Sequence, residues 1–237
     1  MSSGVLYLIP VPLAERAEKS SYTLIHADLI NSIDTYIVEN EKVARRFLKE
    51  AGLKTPQQQL TIHDYGKHVR EKVDYAVFFA SIQEGKDLGL MSDAGCPGVA
   101  DPGAEIVAEA HRRGIRVVPL VGPSSILLAL MASGFNGQKF AFQGYLPIDK
   151  GERGRKIKEL ELQSFKERQT QIFIETPFRN QALYDELLRT CKDQTKLCVA
   201  CNITGEDEFI LTFPISQWKK RKVDLHKKPT IFLIYSN

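Results

Sequence analysis

Residues 88–132 constrain the fold more than any other part of the chain, because they write strand, loop and helix twice in succession. Leu88-Gly89-Leu90-Met91-Ser92 is a short apolar strand that runs into a loop of Asp, Gly, Cys and Pro. A helix is predicted from Asp101-Pro102-Gly103: Asp101 caps the free amides, Pro102 takes the first helical position, and Ile106, Val107 and Ala110 form the buried stripe. Arg112-Arg113-Gly114 ends it, and Ile115-Arg116-Val117-Val118-Pro119-Leu120 is the next strand. Gly122-Pro123 turns the chain, and Ser124 is expected to cap the apolar helix 125–132. Such alternation predicts a mostly parallel sheet with right-handed crossovers.

The same rhythm begins earlier. Val5-Leu6-Tyr7-Leu8-Ile9, ended by Pro10-Val11-Pro12, reads as a buried strand meeting a turn. Thr35-Tyr36-Ile37-Val38 is a second strand after a short helical piece from Asp28. Residues 41–51 form a helix with Val43, Phe47 and Leu48 on one face and Gly52 behind it, and residues 77–80 lie on another helix. Ligands of such sheets sit outside the carboxyl ends of the strands. There the loops 10–14, 93–101 and 121–125 collect Gly, Pro, Ser and Asp, which lets backbone approach a bound molecule closely.

After Gly134-Phe135-Asn136-Gly137 the rhythm changes. Strand 140–142, basic helix 152–165, strand 170–175, helix 180–190 and strands 196–203, 208–213 and 230–235 follow with hairpin-like spacing. The fold class is therefore α/β in two domains: 1–137 with a mostly parallel sheet, and 138–237 with a mixed sheet. A cleft is expected between them.

Composition narrows the chemistry. The longest aliphatic run, 126–132, is far short of the ~20 residues that cross a bilayer. The start, Met-Ser-Ser-Gly, carries no basic leader, and the apolar stretch 5–13 is broken by Pro10 and Pro12, so no secretory signal is expected. Four cysteines then read as reduced thiols in the cytoplasm. Cys198-Val199-Ala200-Cys201 has no second pair nearby, and on a strand its two thiols point to opposite faces. His26, His63, His68, His111 and His226 are scattered, so no metal is expected. The first strand is followed by no Gly-x-Gly-x-x-Gly, and no Gly-x-x-x-x-Gly-Lys-Ser/Thr occurs, which excludes a Walker-type NTPase. The net charge of +3 hides an asymmetry. Residues 150–158 and 219–228 hold 11 Lys/Arg against Glu152 and Asp224 alone, as either a polyanion-facing surface or two solvated loops would.

A long turn and a capped helix explain Asp101, Pro102 and Gly103, but not Asp93 or the Gly95–Gly98 segment. One serine of Ser124-Ser125 suffices for a cap, and the second is unexplained. Residues 6–13, 92–103, 118–125 and 144–147, with Glu175-Thr176-Pro177-Phe178-Arg179, together resemble the tetrapyrrole methylase superfamily. Within it the chain is most similar to the small-subunit ribosomal RNA cytidine 2′-O-methyltransferases. The signature is Ser-Asp-Ala-Gly-x-Pro with Asp-Pro-Gly, then Val-Pro-Leu-x-Gly-Pro-Ser.

The resemblance implies a two-domain homodimeric methyltransferase with S-adenosylmethionine in the cleft, leaving as S-adenosylhomocysteine. Carried over by position, Pro10, Val11, Pro12 and Leu13 line the cofactor, Asp93, Ala94, Gly95 and Cys96 contact its methionine or ribose, and Ser124 and Ser125 bind it. From the second domain Ile174, Thr176, Cys201, Asn202 and Thr230 close over the adenine. Candidate catalytic groups are Asp101 or Glu175 as proton acceptor and Arg179 as a phosphate holder. The basic segments 150–158 and 219–228 would meet ribosomal RNA.

The chain also departs from those enzymes. Gly-Asn-Leu is replaced by Ala14-Glu15-Arg16, and Glu-Asp-Thr-Arg by Glu39-Asn40-Glu41-Lys42. The His of Glu-x-Pro-His-Arg becomes Phe178, the Arg-Glu of Arg-Glu-Leu-Thr becomes Cys201-Asn202, and the run around His63 is reduced to His63-Asp64-Tyr65-Gly66-Lys67. The cofactor half is kept while polar residues expected near the acceptor change. A methyltransferase for a small tetrapyrrole-like metabolite, or a binding protein for S-adenosylmethionine without turnover, are the alternative readings.

Overall fold

The computed structural model describes residues 4–17, 21–66 and 73–236, in two compact units, Met1–Ser124 and Ser125–Asn237. The first unit runs β1 (Val5–Leu8), α1 (Ile25–Ile30), β2 (Thr35–Val38), α2 (Glu41–Glu50), β3 (Thr61–Asp64), α3 (Tyr75–Phe78), α4 (Ala80–Gln83), β4 (Leu88–Met91), α5 (Ala104–Arg112) and β5 (Arg116–Pro119). Its sheet has the order β3-β2-β4-β1-β5, and every pairing is parallel.

Both faces of this sheet are covered, as a parallel sheet requires. Tyr36, Val38, Ile9 and Met91 pack with Ile30, Phe47 and Leu48 on one side. Leu6, Ile37, Leu88 and Leu90 pack with Phe79, Ile82, Ile106 and Ala110 on the other. The alternation of neighbours Tyr36, Ile37 and Val38 between the two clusters is the period of two that a strand imposes.

The second unit runs α6 (Ser125–Ser133), β6 (Phe140–Tyr145), α7 (Lys150–Glu167), β7 (Thr170–Ile174), α8 (Asn180–Thr190), β8 (Lys196–Cys201), β9 (Phe209–Pro214), α9 (Ile215–Trp218) and β10 (Thr230–Tyr235). Its sheet, β6-β7-β10-β8-β9, is mixed: β6 and β7 are parallel, and the other pairs antiparallel. One face carries Phe173, Val199, Cys201 and Phe232 against Ile157, Leu160, Leu183, Leu187 and the fully buried Trp218. Trp218 Nε1 donates to the Leu197 carbonyl at 2.8 Å, which satisfies the indole inside the core.

Three expectations change. Asp101 is not the cap of α5, and Pro102 is not its first residue. The N-cap is Gly103, at φ +123, because the loop folds back through Gly98 N–H donating to the Pro102 carbonyl at 3.3 Å. The helix after Ser124 belongs with the second unit rather than the first: α6 lies on β9 and β10, and Thr212 Oγ1 donates to the Ser133 carbonyl at 2.9 Å. Strand β3 is not marked by the sequence. It is an edge strand whose side chains are exposed or half-buried, so it lacks the apolar signal of β2 and β4. Among the described residues no helix is long and apolar enough to cross a membrane.

Candidate functional site

The sheet order places β4, β1 and β5 side by side, so the loops that leave their carboxyl ends are neighbours. They are joined directly. Val11 and Gly95 exchange both backbone hydrogen bonds, at 2.9 and 2.8 Å, as an isolated antiparallel bridge. A Cβ on Gly95 would lie 3.2 Å from Leu13 Cδ2, and one on Gly122 would lie 2.2 Å from Pro10 Cβ. Gly95 also holds φ +73, a conformation only glycine adopts without strain. Cys96 Sγ donates to the Pro123 carbonyl at 3.4 Å, tying the second loop to the third. Pro10, Val11, Pro12, Leu13, Asp93, Ala94, Gly95 and Cys96 are thus brought together, and Ser124 follows directly from the third loop. Ser125 opens α6.

Of the carboxylates at this edge, the sequence marks only Asp93. Asp93 stands exposed after β4, whose neighbour β2 is followed by Glu39, and β3 beyond it ends in Asp64. The Asp93 N–H donates to Glu39 Oε2 at 3.4 Å. Partial dehydration first, then the charges of Glu39 and Asp64, hold the Asp93 carboxyl above its ordinary pKa. Tyr65 O–H donates to Glu105 Oε2 at 3.0 Å from the same side. Burial pushes the Cys96 thiol up, away from a nucleophilic thiolate.

The departures acquire physical roles. Asn40 is the N-cap of α2, accepting from Lys42 N and Val43 N. Glu15 pairs with Arg46 at 3.3 Å, and Arg16 sits at φ +62. The ring of His63 lies 5.0 Å from that of Phe78, and burial pushes its pKa down, favouring the uncharged ring.

In the second unit Ile174, Cys201 and Thr230 also meet at one sheet edge. The register pairs Thr230 with Cys201, and Ile231 with Ile174. Asn202 continues from β8 at φ +49 and donates from its N–H to the Pro229 carbonyl at 2.9 Å. Its side chain donates to Asp207 Oδ2 at 2.8 Å. The Cys201 side chain is turned into the core, so this residue presents backbone at the edge. Glu175 and Arg179, four residues apart, form an ion pair at 2.6 Å, and Glu175 Oε1 also accepts from Thr176 N at 2.7 Å. Glu175 Oε2, Arg179 Nε and Asn180 Oδ1 are buried with no hydrogen-bond partner in the structure. Orphaned polar atoms at a strand-end edge are what a polar ligand would satisfy.

The basic segments divide between internal and outward roles. Arg153 is mostly covered and pairs with the buried Glu186, Lys156 pairs with Glu159, Lys219 with Asp193, and the Arg221 guanidinium lies 4.0 Å over the Phe213 ring. Lys150, Arg155, Lys158, Lys220 and Lys222 are exposed. Among the described residues no three His, Cys, Asp or Glu side chains come together as a metal would require.

A parallel sheet with joined glycine loops at its carboxyl edge, followed by a mixed-sheet unit, defines a two-unit α/β class. The profile of the Tetrapyrrole (Corrin/Porphyrin) Methylases matches residues 13–218, and the chain belongs to that family. Ribosomal RNA small subunit methyltransferase I of Bacillus subtilis is 32% identical over 215 residues, 90% of this chain and 68% of that protein. The protein of the same name from Vibrio cholerae is 29% identical over 213 residues, 90% of this chain and 69% of its own. That from Escherichia coli O157:H7 is 26% identical over 98% of this chain and 78% of its own. The crystal structure of the methyltransferase CobJ shares the fold, with a TM-score of 0.63 at 17% identity over 99% of this chain and 95% of that one. The chain is a methyltransferase, and its family implies S-adenosylmethionine as the donor.

Proposed function

We propose that the protein methylates the 2′-hydroxyl of a cytidine in small-subunit ribosomal RNA. The reading is carried by three loops, one proline-rich and two bearing glycine, that meet through Val11, Gly95, Cys96 and Gly122. The names and extent of the relatives support the acceptor.

When bound, S-adenosylmethionine supplies a methyl group already activated on a sulfonium sulfur. The chain then needs no covalent nucleophile. Pro10, Val11, Pro12, Leu13, Asp93, Ala94, Gly95, Cys96, Ser124 and Ser125 would hold the donor, with Asp93 meeting its ammonium or ribose hydroxyls. Ile174, Thr176, Cys201, Asn202 and Thr230 would contribute mainly through backbone and small polar groups. Orienting the acceptor hydroxyl in line with the methyl is worth up to ~7–11 kcal/mol. The hydroxyl proton must leave during transfer. Glu175 Oε1 is engaged by Arg179 and the Thr176 amide, so that pair positions the edge. Either Asp101, exposed in the same loop as Asp93, or the unpartnered Oε2 of Glu175 would accept the proton.

Two further assignments belong to this reading. The four thiols are free, as a reducing cytoplasm keeps them. Leu127 and Met131, four residues apart on α6, are 51% and 78% exposed and offer an apolar face to a second copy of the chain. Sedimentation should then give twice the 26.7 kDa chain mass.

The test is transfer of labelled methyl from S-adenosylmethionine to ribosomal small subunits. Label should enter subunits from a strain lacking this gene and not those from its parent. Equal labelling of both, or label confined to small-molecule extracts, rejects the acceptor.

A further inference from the structure

Phe178 is 70% exposed, yet the turn that carries it is tightly held. The Glu175 carboxylate accepts from Thr176 N and Arg179, and the Thr176 carbonyl accepts from the N–H groups of Arg179 and Asn180, at 2.9 and 3.1 Å. A second strap comes from the basic segment: Lys227 N–H donates to the Pro177 carbonyl at 3.0 Å, and Asn180 Nδ2 to the Lys228 carbonyl at 2.6 Å. Lys227 holds φ +59 there, a left-handed conformation that such ties maintain. As a result the Lys227 ammonium lies 5.8 Å from the centre of the Phe178 ring, and the His226 ring stands against it at 78°, with centroids 6.5 Å apart. The turn under the ring is tied down, and the ring is bordered by the Lys227 ammonium and the His226 imidazole and otherwise open to solvent. It stands at the same strand-end edge as Thr176 and Thr230.

We infer that Phe178, with His226 and Lys227, is a stacking platform for an unpaired nucleobase of the RNA substrate, the neighbouring cations meeting its phosphates. The inference rests on the RNA reading above and adds how a strand of RNA is gripped at the second unit. An aromatic face accepts any base, and the phosphates that flank a base favour adjacent Lys side chains. An apolar protein partner gains nothing from that charge. A rigid ring also loses little conformational entropy on binding.

The experiment measures binding of the full-length protein to single-stranded oligoadenylate of about ten nucleotides, and to an abasic oligomer of the same length. Phe178→Ala should weaken binding of the base-bearing strand about tenfold or more, leave the abasic strand unaffected, and keep the salt dependence unchanged. Lys227→Gln should instead lower the salt slope by about one phosphate contact. Phe178→Trp should restore affinity. The chain's one natural tryptophan, Trp218, is fully buried, so quenching of the new indole by RNA reports stacking directly. Equal affinity of Phe178→Ala and wild type, with no quenching of the Trp variant while RNA is bound, overturns the platform and leaves the RNA reading standing. A change of oligomeric state in Phe178→Ala, by sedimentation, also overturns it, because the ring then belongs to an interface between copies. If wild type binds neither strand, the platform and the RNA acceptor fall together, while calorimetric binding of S-adenosylmethionine still stands as the separate measure of methyl-donor binding.

Discussion

At Gly122 a side chain has nowhere to go, since a Cβ there would lie 2.2 and 2.4 Å from Cβ and Cγ of Pro10. Gly122→Ala must push apart two loops that are also joined through Gly95, and overpacking of this kind costs ~1–3 kcal/mol. We expect it to lower thermal stability and to weaken S-adenosylmethionine binding at least tenfold by calorimetry. Gly137→Ala is the control, because nothing lies within 4 Å of its added methyl. Asp93 makes a prediction of opposite sign for stability. Its folded pKa is raised by dehydration and by Glu39 and Asp64, so the folded state holds its proton to higher pH than the unfolded state does. Stability is lost as pH rises through that window and stays lost above it. Asp93→Asn should therefore melt above wild type at pH 7, with the gap closing as pH falls below the ordinary carboxylate value of 3.8, while donor binding weakens. Melting below wild type at pH 7 would refute this account of Asp93. The sequence marks Asp93 and Gly95 through a loop that helix capping leaves unexplained. It does not mark Glu39 or Asp64 as their neighbours, because that proximity follows from strand order.

Among the elements, α7 and α8 are pinned by a buried charge. Glu186 is 5% exposed and accepts from Arg153 at 3.0 Å and Arg189 at 2.8 Å, with the Arg153 side chain only 11% exposed. Burial alone pushes the Glu186 carboxyl up, but the two guanidinium groups overcome it and leave the pKa below 4.5. That stability is present at neutral pH and lost as pH falls through the depressed value. Glu186→Ala would leave Arg153 buried and unpaired, a loss of about 3–5 kcal/mol, readable in urea melts at pH 7. A loss under 1 kcal/mol would mean that Arg153 finds water. From sequence, Arg153 counts simply as one of 11 cations, and only the helix pairing shows it is structural. Helices α2 and α8 are legible because each buries one face, and strands β2 and β4 because they are apolar runs buried on both. Strand β3 and the start of α5 are not, since an edge position and a glycine turn decide them.

For the whole molecule, charge placement limits the contact with RNA that the proposed function calls for. Arg153, Lys156, Lys219 and Arg221 are engaged internally, which leaves seven cations of the two basic segments for phosphates. With each contact to a single strand contributing about −0.7 to the slope of log affinity against log salt, the slope should not exceed about −5 in magnitude. A slope near zero would contradict an RNA partner. The division into a parallel and a mixed unit is readable from the change of rhythm after Gly137, whereas the side on which α6 packs is not, because a helix apolar all round announces no face. The central claim, a methyl donor held by the three joined loops, is tested most directly by isothermal titration of the purified chain with S-adenosylmethionine and with S-adenosylhomocysteine. Saturable binding of both, one molecule per chain and sharply weakened by Gly122→Ala, is the predicted result. A folded protein that shows no heat of binding with either would contradict it.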